Sequence, residues 1–381
     1  MNSSNTPPEM TAHRHRLAPI FAYLMTLTAA FVAAQCFIWL QIPLPWLTGP
    51  LLCIGILSVL NTPVVSIVMV RNLAQWAMGS ALGLYFTPEI LAIISQLWWC
   101  VALTVLVAIA LGLFSTQFIT FLNRNNTGFS SRQQLVATAY YAGAIGAASE
   151  MTLLAERQQA RTDLVAASHS LRLMIVTLCI PFAVTLIETS SAGSSTTLAP
   201  LPLQAFQPLG FALFALITAA GIGVLHYFKM PNPWFLGPFF ASVILAVLEC
   251  NLSAMPPSSS SAAQLIIGVS LGVRFSREFL KSAPFWAFSI ALLSLCLIAI
   301  SAGFGWLLSQ FVPVDFASLL LATAPGGIVE MAITAKIFAL SVPVVTAFQV
   351  TRLVAVLLLS NWVYRCIYRE APAPESTSAK R

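Results

Sequence analysis

The sequence predicts an all-α, polytopic integral membrane protein built from two related halves. Three observations carry that prediction. Of 381 residues, 58% are hydrophobic and only 8% charged, against about 25% charged in an ordinary soluble domain. Residues 17–70, 90–123, 189–228 and 282–314 contain no Asp, Glu, Lys or Arg, and each run can hold at least one membrane helix of about 20 residues. Finally, three blocks recur in the same order. Pro45-Trp46-Leu47-Thr48-Gly49-Pro50 returns as Pro233-Trp234-Phe235-Leu236-Gly237-Pro238, an offset of 188. Gln75, Gly79, Gly83, Phe86 and Glu89 return as Gln264, Gly268, Gly272, Phe275 and Glu278, an offset of 189. Gly146, Glu150, Met151 and Arg172 return as Gly326, Glu330, Met331 and Arg352, an offset of 180.

Taken in order, residues 1–17 are polar, carry His13, Arg14, His15 and Arg16, and read as a cytoplasmic tail. A cleaved signal peptide is the alternative. The apolar stretch that follows is longer than a signal core and ends without a small-x-small site. The first repeat spans 18–187, with apolar segments near 18–40, 46–60, 68–86, 90–121, 135–156 and 163–187. A linker follows over 188–204. The second repeat spans 205–366, with segments near 205–228, 234–249, 262–275, 281–311, 317–337 and 343–366. Residues 367–381 form a second cytoplasmic tail.

Basic residues mark cytoplasmic connections. Arg14, Arg71, Arg124, Arg132, Lys229, Arg274, Arg277, Lys281, Arg365 and Arg369 place their loops inside, while 188–204, 250–261 and 312–316 lack Lys and Arg and read as outside. Six crossings per half would return residue 188 to the inside. The charges therefore favour about five net crossings per half, which inverts the second repeat relative to the first, a plan common among secondary transporters. Parallel repeats with six true crossings remain the rival. The fifth segment is the one expected to be broken or re-entrant. It holds Gly146 in one half and Pro325, Gly326 and Gly327 in the other, and freed backbone is tolerated at membrane depth only where protein or a cavity surrounds it.

Glu150, Arg172, Glu330 and Arg352 are the informative charges, each inside an apolar segment. Unpaired, such residues cost roughly 2.5–3.5 kcal/mol each at a helix centre. Glu and Arg stand 22 residues apart in both halves, and each lies 11 residues from Arg161 in the first. A chain reversal near Arg161 places both about 16 Å deep, close to the bilayer middle. One reading is a self-neutralising Glu–Arg pair in each half. The other sets all four around a central cavity, where the arginines attract an anionic solute and the glutamates take a coupling H⁺ or Na⁺. Thr48, Gln75 and Gln264 are weaker candidates, because close helix packing at the neighbouring glycines explains those motifs equally well. Lys336 and Asp163 read as segment-end charges.

The seven cysteines are scattered without C-x-x-C spacing and read as small apolar residues. His13, His15, His169 and His226 have no metal-site spacing. Hence no metal, no cofactor and no enzymatic activity are expected. A net charge of +6 without a basic, aromatic-interleaved stripe argues against direct nucleic-acid binding.

The repeated blocks resemble the AbrB family of bacterial inner-membrane proteins, also labelled ammonia monooxygenases. The resemblance covers about 18–366. Its most specific match is Ala324-Pro325-Gly326-Gly327-Ile328-Val329-Glu330-Met331. The first-half copy, Ala144-Ile145-Gly146-Ala147-Ala148-Ser149-Glu150-Met151, lacks the proline and one glycine. The resemblance implies a multi-pass inner-membrane protein with a connection to regulation of gene expression. Its name is shared with a soluble DNA-binding regulator that is a different protein. Oxygen chemistry would need copper, iron or flavin ligands that this sequence does not group together. Two readings stay open: a secondary transporter of a small, anionic solute, and a non-transporting membrane protein acting on gene expression through a partner. A homo-oligomer fits either.

Overall fold

A computed structural model describes residues 8–125, 128–190, 207–250, 252–253, 255–275 and 283–368. The described residues form helices and their connections. In the first half these are α1 (Pro8–Trp39), α2 (Pro45–Val59), α3 (Val68–Gly83), α4 (Pro88–Gln96), α5 (Trp98–Leu122), α6 (Arg132–Gly143), α7 (Ala148–Arg157) and α8 (Thr162–Ser190). In the second they are α9 (Pro208–Tyr227), α10 (Pro233–Val247), α11 (Pro257–Gly272), α12 (Pro284–Ser309), α13 (Phe316–Thr323), α14 (Ile328–Ile337) and α15 (Val342–Tyr368).

Six of the described helices are long and apolar enough to cross a membrane: α1, α5, α8, α9, α12 and α15. Their outer faces carry side chains such as Trp39, Leu209, Tyr227 and Leu358, each more than 70% exposed, a surface that lipid solvates and water does not. The chain is therefore a multi-pass helical membrane protein. Its α2 and α10 have 15 residues each, about 22 Å of helix, short of a hydrocarbon core of about 30 Å.

The apolar segments fall where the sequence places them, with two differences. Segment 90–121 is two helices, because Pro88 starts α4 at its first turn and Leu97 ends it. A bend of 86° separates α3 from α4. The backbone of α1 starts at Pro8, so part of the expected 1–17 tail is helical. Most of the 188–204 linker and of the C-terminal tail lies outside the described residues.

Eight non-glycine residues have positive φ: Gln41, Leu44, Asn61, Gln159, Lys229, Asn232, Glu249 and Ala339. They form four pairs at offsets of 188, 188, 188 and 180, the offsets of the sequence blocks. Six of them close helix C-termini with the double hydrogen bond of a Schellman turn. Gln159 N–H donates to Glu156 O and Ala160 N–H to Ala155 O; Ala339 N–H donates to Lys336 O and Leu340 N–H to Ala335 O. Leu44 and Asn232 instead stand at the N-termini of α2 and α10. The backbone repeats its left-handed turns although the side chains at them differ.

The helices pack in two groups. One joins α1, α2 and α3 with α9, α10 and α11; the other joins α5–α8 with α12–α15. Nearly every helix pair has a counterpart when the halves are exchanged: α2 with α11 and α10 with α3, α8 with α12 and α15 with α5. Close crossings use the repeated glycines. Gly268 and Gly272 lie on Leu47 and Leu51 of α2, whereas Gly79 and Gly83 lie on Phe235 and Phe239 of α10. Contact order along each pair shows that α11 runs beside α2 in the same direction, and α3 beside α10 likewise.

Candidate functional site

The fifth segment is broken in both halves, at residues 144–147 between α6 and α7 and at 324–327 between α13 and α14. Each pair forms a hairpin whose two ends lie side by side. Ser131 Oγ caps α6 by accepting from Gln134 N–H at 3.1 Å. The far end of α7 returns beside that start: Gln134 Nε2 donates to Gln159 O (3.2 Å) and Arg161 N–H to Thr138 Oγ1 (3.1 Å). The second hairpin repeats the arrangement. Asp315 Oδ2 accepts from Ser318 N–H (2.7 Å), and Ser341 N–H donates to Ser318 Oγ (2.9 Å).

A broken helix leaves its last carbonyls without intrahelical donors, and those at the hairpin tips are buried. The long helix after each hairpin supplies the donors. In the first half, Arg172 Nη1 donates to Ala142 O and Gly143 O, both at 3.2 Å, and Nη2 to Ala144 O at 3.0 Å. His169 takes the remaining one: its Nε2–H donates to Tyr141 O (2.9 Å). Its Nδ1 accepts from Arg172 Nη2 (2.7 Å), so the two partners together fix the tautomer. In the second half, Arg352 Nη1 donates to Thr323 O (3.3 Å) and Ala324 O (2.7 Å), and Nη2 to Gly326 O (3.2 Å). Gln349 Nε2 donates to Leu321 O (2.7 Å) and Ala324 O (3.1 Å), while its Oε1 accepts from Arg352. Arg172 lies ten residues into α8, about 15 Å along the helix.

Neither expected Glu–Arg pair forms. Among the described residues the ion pair present is Arg161–Asp163 at 2.6 Å. Both arginines are 4% exposed and face the negative ends of α6 and α13. Hydrogen bonds from a charged donor are worth about 1.5–3 kcal/mol each, so three per arginine offset burial without a carboxylate. The two guanidinium groups lie within electrostatic range of each other, and each keeps a buried Nε–H that has no acceptor among the described residues.

The glutamates differ. Glu330 is 7% exposed, and its carboxylate folds back over the start of α14, where it occupies the space a side chain on Gly327 would fill. It forms no ion pair with Arg352. In the first half Gly327 is replaced by Ala147, whose methyl group takes that space. Glu150 is accordingly half-buried and Ser149 exposed. Gly146 and Gly326 play the same part in both halves, giving room to Met151 and Met331, whose Cε atoms lie 2.7 and 2.9 Å from the position of a would-be Cβ. The missing proline and glycine therefore do not prevent the first-half break.

The hydrogen bonds of the weaker candidates are local to their own helices. Thr48 Oγ1 donates to Pro43 O and Leu44 O at the start of its own helix. Gln264 is buried and its Nε2 contacts Ser260 Oγ at 3.3 Å; Gln75 is half-buried. The glycines beside the two glutamines serve helix crossings. Two residues of the tips, His169 and Gln349, escape motif reading because they differ in type. The 180 offset pairs them, each three residues before an arginine. Among the described residues no group of three or more His, Cys, Asp or Glu side chains could hold a metal ion.

Comparison with known proteins adds a family. Residues 46–368 match the family described as "Transition state regulatory protein AbrB". A Bacillus subtilis (strain 168) protein, the uncharacterized YhjN, is 24% identical over 308 residues, 78% of either chain. An Escherichia coli (strain K12) protein named as a proposed regulator, AbrB, is 24% identical over 361 residues, 93% of this chain and 99% of its own.

Proposed function

The chain belongs to the AbrB family of membrane proteins, and from that premise we propose that it is a secondary transporter of a small anionic solute in the bacterial inner membrane. The observation that carries this reading is the pair of broken-helix hairpins whose tips meet two buried arginines that pair with no carboxylate among the described residues. Discontinuous helices with charged residues at the midplane are how secondary transporters build a solute site without exposing backbone to lipid.

An inverted arrangement of the repeats supports it. The direction of α2 is that of α11, and the direction of α3 is that of α10. Arg71 at the start of α3 lies in electrostatic range of Arg274 past the end of α11, so α3 and α11 run opposite ways. Then α2 and its counterpart α10 also run opposite ways. In this reading each hairpin contributes no net crossing, and α1, α2, α3, α5 and α8 supply five crossings per half, α2 and α10 crossing within the bundle although each is shorter than the hydrocarbon core, so the two tips approach from opposite faces. A solute held between them would be released by rocking one set of helices against the other. Glu330, a buried carboxylate that forms no ion pair with either tip arginine, is the group we assign to a coupling H⁺ or Na⁺.

The name of the Escherichia coli relative favours a second reading, in which the protein acts on gene expression through a partner and moves nothing. Purified protein in liposomes separates the two. Small carboxylates, sulfate and phosphate should be screened with and without imposed H⁺ and Na⁺ gradients. Transport predicts gradient-dependent uptake of at least one anion above empty liposomes, lost in Glu330→Gln. Absence of uptake for every anion class under every gradient would sink it and leave the partner reading.

A further inference from the structure

The two groups of helices share a buried core at one end only. The core that joins them takes Met78 and Leu82 of α3 together with Ile180 of α8, Val329 and Ile333 of α14 and Val345 of α15. A second core, with Leu164 and Val165 of α8, Trp286 of α12 and Tyr364 of α15, takes no buried residue from α1–α3 or α9–α11 among the described residues; Phe275, past the end of α11, packs against it. Helix α8 gives its start to the second core and its later half to the first, and α15 does the reverse. The groups are therefore sealed together where α8 ends and share no buried core where it begins. Arg157 and Arg161 mark that beginning as the cytoplasmic end. The hairpins show the same asymmetry. Helix α14 packs on α3, whereas its counterpart α7 makes no comparable contact with α11. Val329, Ala332 and Ile333 of α14 are buried. At the same positions α7 has Ser149, Thr152 and Leu153, of which Ser149 and Leu153 are exposed and Thr152 half-buried. Ser149, Thr152 and the exposed Glu156 share one face of α7, and such a face belongs against water rather than lipid. Arg274, past the end of α11, is exposed and lies in electrostatic range of Glu330 at the second tip, which ties this open end to the tips.

We infer that the space between α7 and the end of α11 is an aqueous vestibule through which a small anion enters from the cytoplasmic side, with Arg274 as the attracting charge at its rim and the α3–α14 contact as the closed gate opposite. Its physiological role rests on the transport reading, but its being filled with water does not. Rocking of one group against the other would close α7 on α11 and part α14 from α3. The apolar face of α14 gains by staying buried, and the polar face of α7 gains by staying wet, so the state open to the cytoplasm is the resting one.

The test is the reactivity of single cysteines in the full-length chain freed of its own. Ser149→Cys, Thr152→Cys, Val329→Cys and Ala332→Cys are treated in right-side-out and inverted membrane vesicles with charged, membrane-impermeant methanethiosulfonates, which react with a thiolate in water and not with a thiol in lipid. Ser149→Cys and Thr152→Cys should be modified from the cytoplasmic side. Val329→Cys and Ala332→Cys should resist from both sides until the protein is denatured. Two positions on each hairpin keep the comparison intact if one variant misfolds. Arg274→Gln should lower the ratio of anionic to cationic reagent rates at Ser149→Cys by about fivefold, the effect of one nearby charge on reagents of opposite sign; an unchanged ratio would remove Arg274 from the rim. Resistance of both Ser149→Cys and Thr152→Cys from either side, or equal reactivity at Val329→Cys, would overturn the vestibule. Modification in the expected pattern by a protein that accumulates no anion in liposomes would keep the vestibule and remove the transport reading; uptake by a protein whose Ser149→Cys and Thr152→Cys variants resist would do the reverse.

Discussion

At the scale of single residues, the arginines of the two long helices hold the hairpin tips, and their neighbours three residues earlier share the load. His169 and Gln349 do one job with different chemistry: each donates to a carbonyl one turn before the break and accepts from the arginine. His169→Gln should therefore leave thermal stability in detergent close to that of the unmodified protein. His169→Ala strands Tyr141 O and one arginine N–H, and should lower stability by about 1–3 kcal/mol. Equal loss in both variants would contradict the shared role. Gly327 has a different importance, as the hollow that the Glu330 carboxylate occupies. Gly327→Ala should push that carboxylate outward, making it reactive to a water-soluble carbodiimide to which it is otherwise closed. Absence of new labelling at Glu330 would show that the hollow is not what holds it.

At the scale of elements, the helix glycines include some that another helix touches and some with no atom near a would-be side chain. Gly79 of α3 lies so close to the Phe235 carbonyl of α10 that any side chain displaces backbone. Gly79→Leu should abolish the monodisperse folded protein on size-exclusion chromatography. Gly223 and Gly303 have no atom within 4 Å of a would-be Cβ. Gly303→Ala should be neutral or stabilising by up to about 1 kcal/mol, the helix propensity difference, as judged by the thermal midpoint. The broken segments were legible as elements because Gly146 in one half, and Pro325, Gly326 and Gly327 in the other, interrupt an apolar run. The split of 90–121 at Leu97 was not, because Pro88 is compatible equally with a helix start and a loop.

At the scale of the whole molecule, an inverted pair of repeats sends equivalent turns to opposite membrane faces. Gln159 and Ala339 are such a pair, with φ of 54° and 52° and both exposed. In a chain freed of its own cysteines, Gln159→Cys and Ala339→Cys should react with a membrane-impermeant maleimide from opposite sides of intact cells or oriented vesicles. Labelling of both from one side would mean parallel repeats.

The sequence by itself determined the membrane-helical class, the internal duplication, the position of the breaks and the four charges worth watching. These follow from composition, from offsets and from the cost of charge in an apolar run, all of which are properties of linear order. Which charges meet was decided only by tertiary structure. Spacing of 22 residues in both halves suggested a Glu–Arg pair, yet a carbonyl leaves no mark in a sequence, and the arginines answer the unbonded carbonyls that a helix break creates. Sequence alone also could not tell that Gly327 admits Glu330 while Ala147 excludes Glu150, because one methyl group matters only when another atom needs its place.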